Sequence, residues 1–150
     1  MRVVTTVDID APVERVWPLL DEDENIKLWM PDVIETTYPD GKPEGDPVGT
    51  RFEQKIREGG RVNTYFGAVT AYEPRRLLGV RLGDERNFST DVTYRLSAQG
   101  TGTRLDYACN VRLFSWLSRV MILIGGPMMR RIVKRHMANL KRLAEKGVGA

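Results

Sequence analysis

Cysteine is nearly absent from this chain. Cys109 stands alone, so no disulfide can form within the molecule. Histidine is as scarce: a single His136 leaves too few soft ligands for a structural zinc site, which draws on four nitrogen or sulfur donors. An excess of charge is also missing. A net +3 over 150 residues, with an isoelectric point near 9.2, says little about a polyanionic partner. Met1–Thr6 lacks the apolar core of a signal peptide, which leads us to expect a cytoplasmic location. The most apolar stretch, Leu113 to Met129, is broken by Arg119 and by Gly125-Gly126-Pro127. It falls short of the roughly 20 apolar residues that span a bilayer, so it argues against an integral membrane segment and for buried core.

Reaction signatures are missing as well. The chain has no serine nucleophile elbow, phosphate-binding glycine loop or HExxH zinc pattern. No two carboxylates share an inferred inner strand face, which leaves glycosidase chemistry unsupported. No metal or other cofactor is expected. There is no internal repeat, linker or low-complexity stretch. The 41% hydrophobic and 29% charged content are those of a globular protein, and 150 residues are expected to form one domain, 1–150.

What is present is alternation. Val3, Thr5, Val7 and Ile9 give one strand a better apolar face. Ala11-Pro12 then opens a helix with Pro12 in its first turn and Asp10 as the expected cap. Val13, Val16, Trp17 and Leu20 form its buried stripe. Asp21 to Asn25 reads as an acidic turn, and Ile26, Leu28, Trp29 and Met30 as a second short helix ending before Pro31. Strands follow at Val33–Tyr38, Arg51–Arg57, Val62–Tyr72, Leu78–Gly83, Phe88–Leu96 and Arg104–Leu113. Loop chemistry separates them at Pro39–Pro47, and turns do so at Glu58–Arg61, Glu73–Arg76 and Ala98–Gly102. The strand Val62–Tyr72 is apolar on both faces, so its inner face is not assigned. From Met129 the period becomes helical, with an apolar side carrying Ile132, Val133, His136, Met137 and Leu140 and an end near Gly147.

Successive alternating strands make an antiparallel sheet with one wet face, and its apolar face must be covered by a helix. Only the C-terminal helix is long enough. This order resembles the helix-grip fold of the START-like, or SRPBCC, superfamily, which includes polyketide cyclase/dehydrase, Bet v 1-like and lipid-transport proteins. The resemblance spans essentially the whole chain. Its local carriers are Val7–Leu20 followed by Trp29-Met30-Pro31, then Val48–Phe52, Val69–Leu77 and Gly102–Leu105. It implies an α+β fold in which a seven-stranded antiparallel sheet wraps a long C-terminal helix, with two short helices after strand 1. It also implies a cavity between sheet and helix that takes a lipid, polyketide or aromatic compound.

The expected lining follows from the inner faces. The strands supply Phe52, Gln54, Val80, Phe88, Thr90, Tyr94 and Tyr107. The short helices supply Trp17 and Trp29, and the long helix Met129, Val133, His136 and Met137. Methionine suits a pliable pocket. Among the polar groups, His136 is the one whose ordinary pKa lies near neutrality, and it is the weak candidate for an acid or base in a cyclisation or dehydration. A Cys109–His136 nucleophile pair is a remoter option, because strand cysteines are usually small buried hydrophobes. The basic stripe Arg130, Arg131, Lys134, Arg135, Lys141 and Arg142 lacks interleaved aromatics, which argues against nucleic acid and for a solvated face. RNA, ribosome or anionic-membrane binding through that helix stays a lesser alternative. Segment 114–127 is expected to form an additional helix with a kink or break at Gly-Gly-Pro. It serves as extra core and dimer contact, or else as a lid or peripheral membrane contact. Monomer and homodimer remain open, as do carrier and cyclase/dehydratase roles.

Overall fold

The computed structural model describes residues 1–84 and 86–147, the side chains of residues 121, 122 and 124 apart. The elements are β1 (Arg2–Ile9), α1 (Val13–Asp21), α2 (Asp23–Trp29), β2 (Val33–Thr37), β3 (Arg51–Glu58), β4 (Arg61–Glu73), β5 (Leu77–Asp84), β6 (Phe88–Gln99), β7 (Gly102–Leu113) and α3 (Trp116–Glu145). All seven strands form one antiparallel sheet in the order β1-β7-β6-β5-β4-β3-β2, so every neighbour but the β1–β7 pair is also a neighbour in sequence. This is the expected helix-grip arrangement.

Register aligns the inner faces. Val3 stands opposite Cys109, Thr5 opposite Tyr107 and Val7 opposite Leu105. Tyr94 lies between Tyr107 and Leu78, and Val92 between Cys109 and Val80. On the far side Phe52 faces Gly67 and Gln54 faces Tyr65. The unassigned strand β4 is explained by an irregularity between Val69 and Ala71, where the pairing slips by one residue. Gly67 and Val69 face inward before it, Tyr72 after it. A single extra residue exchanges the faces of a strand, so no one alternation could describe β4. A similar slip falls between Val33 and Glu35 in β2.

The packed core sits at one side of the sheet. α3 lies over β1 and β7 and against α1 and α2. Val133, Met137, Leu140 and Ala144 of α3 are buried with Val16, Leu19 and Leu20 of α1 and with Leu96, Leu105 and Cys109 of the sheet. Two polar ties fix the helices. The Arg15 guanidinium donates to the carbonyls of Ala144 and Glu145 at 2.8 Å each, satisfying the free end of α3. The Thr103 hydroxyl donates to the buried Ala11 carbonyl at 2.7 Å.

Three expectations change at the helices. Pro12 occupies the cap position, with ψ 159°, and its carbonyl accepts from Arg15 and Val16. Asp10 is therefore too far back to cap, and its backbone N–H instead donates to Glu145 at 3.3 Å. The acidic stretch is not a turn. Asp21 ends α1, while Asp23 and Glu24 open α2, where carboxylates complement the helix dipole. Finally, α3 runs unbroken for 30 residues through Gly125, Gly126 and Pro127. Gly126 is buried beside the Met1 sulfur, which an added Cβ would approach to 3.4 Å.

Gly67 gives the sheet its tightest inner contact. A Cβ there would run into the Arg81 carbonyl oxygen and stand 2.6 Å from Cζ of Phe52. Gly67→Ala is expected to destabilise the fold by about 1–3 kcal/mol through overpacking. Gly125→Ala, which meets nothing within 4 Å, is expected to stabilise it by about 0.5–1 kcal/mol through helix propensity. Urea unfolding midpoints moving in opposite directions would confirm both, and a neutral Gly67→Ala would refute the close approach.

Candidate functional site

Beside the packed core lies a cavity of about 750 Å³. It runs along the length of β3. At one end stand Arg57–Gly60 of the β3–β4 hairpin with Met128 and Ile132 of α3; at the other stand Asp21, Asp23, Tyr38, Lys42 and Pro47. Its floor is the inner face of the sheet, with Phe52, Gln54, Ile56, Val69, Leu78, Val80, Leu82 and Val92. Leu20, Ile26, Trp29 and Met30 of the short helices roof it.

Trp29 is the partition between core and cavity. It is 2% exposed, and its indole N–H donates to the Leu19 carbonyl at 2.7 Å. The bond is local, from α2 back to α1, and it fixes the ring before any ligand arrives. Edge-on contacts join Trp29 to Tyr94 (6.1 Å between ring centres) and to His136 (6.4 Å), and Tyr94 continues to Tyr107 at 5.4 Å. Such edge-to-face geometry is the favoured one for aromatic rings. Asn139 of α3 donates to the Trp29 carbonyl at 3.3 Å, so all three helices hold this residue.

Charged groups stand at the two ends of the cavity, and polar groups in its middle are few. Gln54 donates its amide to Thr36 at 3.3 Å. The Tyr38 hydroxyl donates to both Asp23 oxygens at 2.7 and 2.8 Å, while Lys42 lies 5.3 Å over the Tyr38 ring and 3.7 Å from Asp23. Burial and the bond to Asp23 push the Tyr38 hydroxyl well above its usual pKa. Burial does the same to Tyr94 and Tyr107, and burial with a bond to Asp21 lifts Tyr72 to about 12. All four phenols therefore stay neutral at physiological pH. The Tyr94 hydroxyl has no hydrogen-bond partner among the described residues. Neither has the buried Nε2 of His136. Burial, and secondarily the neighbouring Arg135 charge, lower the His136 pKa against a weaker opposing pull from Asp32.

The structure brings together Trp29, Phe52, Gln54, Val80, Tyr94, Tyr107 and His136 of the expected lining. It places six others elsewhere. Trp17 is one layer behind the wall, edge-on to Tyr72 at 5.7 Å. Val133 and Met137 are core residues, and Met129 packs against the same core. Phe88 sits at the sheet end, across from Asp84, with its ring against Tyr65 at 5.7 Å. Thr90 stands between Leu82 and Val111 but does not reach the cavity. Cys109 is 1% exposed in the core, where burial raises its thiol pKa, and it forms no hydrogen bond to His136. The nucleophile pair is thus not assembled. On the inferred inner faces Tyr72, Val69, Tyr38, Met128 and Ile132 went unassigned as lining. The first two were hidden by the β4 slip, the last two by a rotation of about 100° per helical residue. Among the described residues no group of three or more His, Cys, Asp or Glu side chains could hold a metal.

Comparison with known proteins places this architecture. A family model described as "Polyketide cyclase / dehydrase and lipid transport" matches residues 1–145. A search of curated protein sequences finds no match. Among solved structures, the Zhui aromatase/cyclase from Streptomyces sp. R1128 superposes with a TM-score of 0.77 at 15% identity, over 97% of this chain and 94% of that one. The protein TTHA0849 from Thermus thermophilus gives 0.75 at 17% identity, over 96% and 97%. Ara h 8.0201 gives 0.68 at 13% identity, over 93% and 97%. At these identities the likeness is one of fold.

The buried imidazole has a consequence for stability. Its folded-state pKa lies below the ordinary 6.5, so the unfolded chain binds the proton more readily. The contribution is fully present above about pH 6.5 and is lost as pH falls through the lower, folded pKa. Thermal midpoints measured across mildly acidic pH should decline for the wild type more steeply than for His136→Gln. Parallel profiles would show that His136 is freely solvated.

Proposed function

The chain belongs to the polyketide cyclase/dehydrase and lipid transport family, and from that premise we propose that it binds a hydrophobic small molecule, of lipid, polyketide or aromatic class, in the cavity beside Trp29. One observation carries the reading. The inner sheet face between β2 and β6 is left uncovered over a void of about 750 Å³, within the range of small-molecule sites. Aliphatic and aromatic side chains line its middle, charged ones stand at its ends, and only a few polar atoms between them could orient a guest. The Tyr94 hydroxyl and the partnerless His136 Nε2 are the two best placed to do so. Both rings stand edge-on to Trp29. A carbonyl or hydroxyl on an otherwise apolar ligand could bond either, and at His136 Nε2 it would remove the cost of a buried unpaired group.

The same geometry favours holding a ligand over transforming one. A general base is ordinarily oriented by a further group. No hydrogen bond orients the His136 ring through either nitrogen among the described residues, and its free Nε2 is left for a ligand. Carrier function requires only volume and a few hydrogen bonds, and those are what the cavity offers.

The reading is tested by filling the void. Val80 projects from the middle of the floor, opposite Val69 and Val92. Val80→Phe is expected to weaken uptake of an uncharged fluorescent aromatic probe at least tenfold while leaving the thermal midpoint unchanged or higher. Unaltered probe affinity in a folded Val80→Phe protein would sink the proposal.

A further inference from the structure

The outer face of α3 is unlike the rest of the surface. Phe114, Trp116, Leu117, Val120, Leu123 and Met128 are all exposed, Trp116 by 76% and Leu123 by 82%. The segment 114–127 was expected to supply extra core, but among its described side chains Phe114, Trp116, Leu117, Val120 and Leu123 stand in solvent. At about 100° per residue Trp116, Val120, Leu123, Pro127, Arg131 and Lys134 fall within one arc of about 80°, while Val133 and Leu140 on the opposite side are in the core. The first half of this arc is apolar and the second basic. Because α3 runs unbroken over 30 residues, both halves lie on one helix face, about 27 Å from Trp116 to Lys134, that a flat surface can meet.

Charge chooses among possible surfaces. Trp116–Glu145 carries seven Arg or Lys and one Glu, a net +6 with His136 neutral, while the remainder of the chain carries −3. The small overall charge therefore conceals a strongly one-sided distribution. A second copy could set apolar half on apolar half about a two-fold axis, but it would give the Arg and Lys that follow no anionic partner. An anionic bilayer meets both requirements: its headgroup region accepts Trp and Leu side chains, and its phosphates attract the Arg and Lys that follow. We propose that the outer face of α3 docks the protein on anionic lipid membranes.

Position relates this surface to the cavity. Met128 and Ile132 are exposed, and both line the cavity. By the same rotation they lie about 100° and about 140° round the helix from the middle of the docking arc, so docking would leave the hairpin end of the cavity at the flank of the bilayer contact, where an apolar ligand could enter the protein from lipid. That last step rests on the proposed ligand role, whereas the docking itself does not.

Trp116 supplies its own reporter, since Trp17 and Trp29 are buried at 7% and 2% exposure. The full-length protein should float with vesicles of phosphatidylglycerol and phosphatidylcholine, at least tenfold more than with phosphatidylcholine alone, and less as salt is raised. Its tryptophan emission should shift to the blue on binding, and Trp116→Phe should abolish that shift. Leu123→Glu and Arg131→Glu, both at exposed positions, should each lower flotation at least tenfold while leaving probe uptake without vesicles unchanged. No flotation with anionic vesicles would overturn the proposal. So would undiminished flotation of a folded Leu123→Glu protein, which would indicate a nonspecific polycation able to hold RNA equally well. A concentration-dependent blue shift with doubled mass and no lipid would assign the face to a second copy. Probe uptake persisting without flotation defeats docking alone, and flotation without probe uptake defeats the ligand reading alone.

Discussion

Seven strands present more apolar surface than one helix can cover. At about 4.8 Å between neighbours the sheet is roughly 29 Å across, while a helix with its side chains is about 10 Å wide. α3 is anchored over β1 and β7 through Val133, Met137, Leu140 and Ala144, and the strands beyond β6 are left to the short helices. Where those do not reach, the sheet encloses space. The cavity follows from this mismatch of widths, and the side chains around it determine how it is kept open.

Trp29 is the principal support. Its indole N–H is satisfied by Leu19 and its carbonyl by Asn139, so the ring is held by hydrogen bonds as well as by packing. Tyr94, Tyr107 and His136 extend from it in successive edge-on contacts. An aromatic wall of this kind resists collapse better than flexible aliphatic chains, because each ring has only two side-chain torsions to fix. At the opposite end the Tyr38–Asp23–Lys42 cluster joins the loop after β2 to the start of α2. Polar bonds thus hold the cavity's far rim while its middle stays apolar.

The fold was legible because alternation is a direct image of a half-buried sheet. Phe52, Gln54 and Ile56, or Leu78, Val80 and Leu82, declare their inner face without ambiguity. The slip at Val69–Ala71 removed that signal from β4, since an inserted residue leaves no mark of its own in composition. The helix was harder. Apolar periodicity places Met129, Val133 and Met137 on its buried side, but burial against core and burial against a void read the same in sequence. Only the placement of α3 toward β1 and β7 shows that Ile132 and His136 reach the cavity. The exposed Trp116 and Leu123 were misleading for a related reason. Apolar residues are normally evidence of interior, and nothing local indicates that this stretch of helix turns them to solvent.

Met128 and Ile132 lie on α3 between two surfaces, an inner sheet face that one helix cannot cover and an outer helix face left exposed among the described residues. The inner face matters most, because the space beside Trp29 is proposed to admit an apolar guest. Methyl-labelled protein titrated with naphthalene, and followed by carbon–proton NMR, tests it directly. Saturable shifts and intermolecular nuclear Overhauser effects are expected at Leu78, Val80, Leu82 and Val92, with Val16, Leu105 and Leu140 of the packed core unmoved. Contacts confined to Leu117, Val120 and Leu123 on the surface, or none at saturating naphthalene, would contradict it.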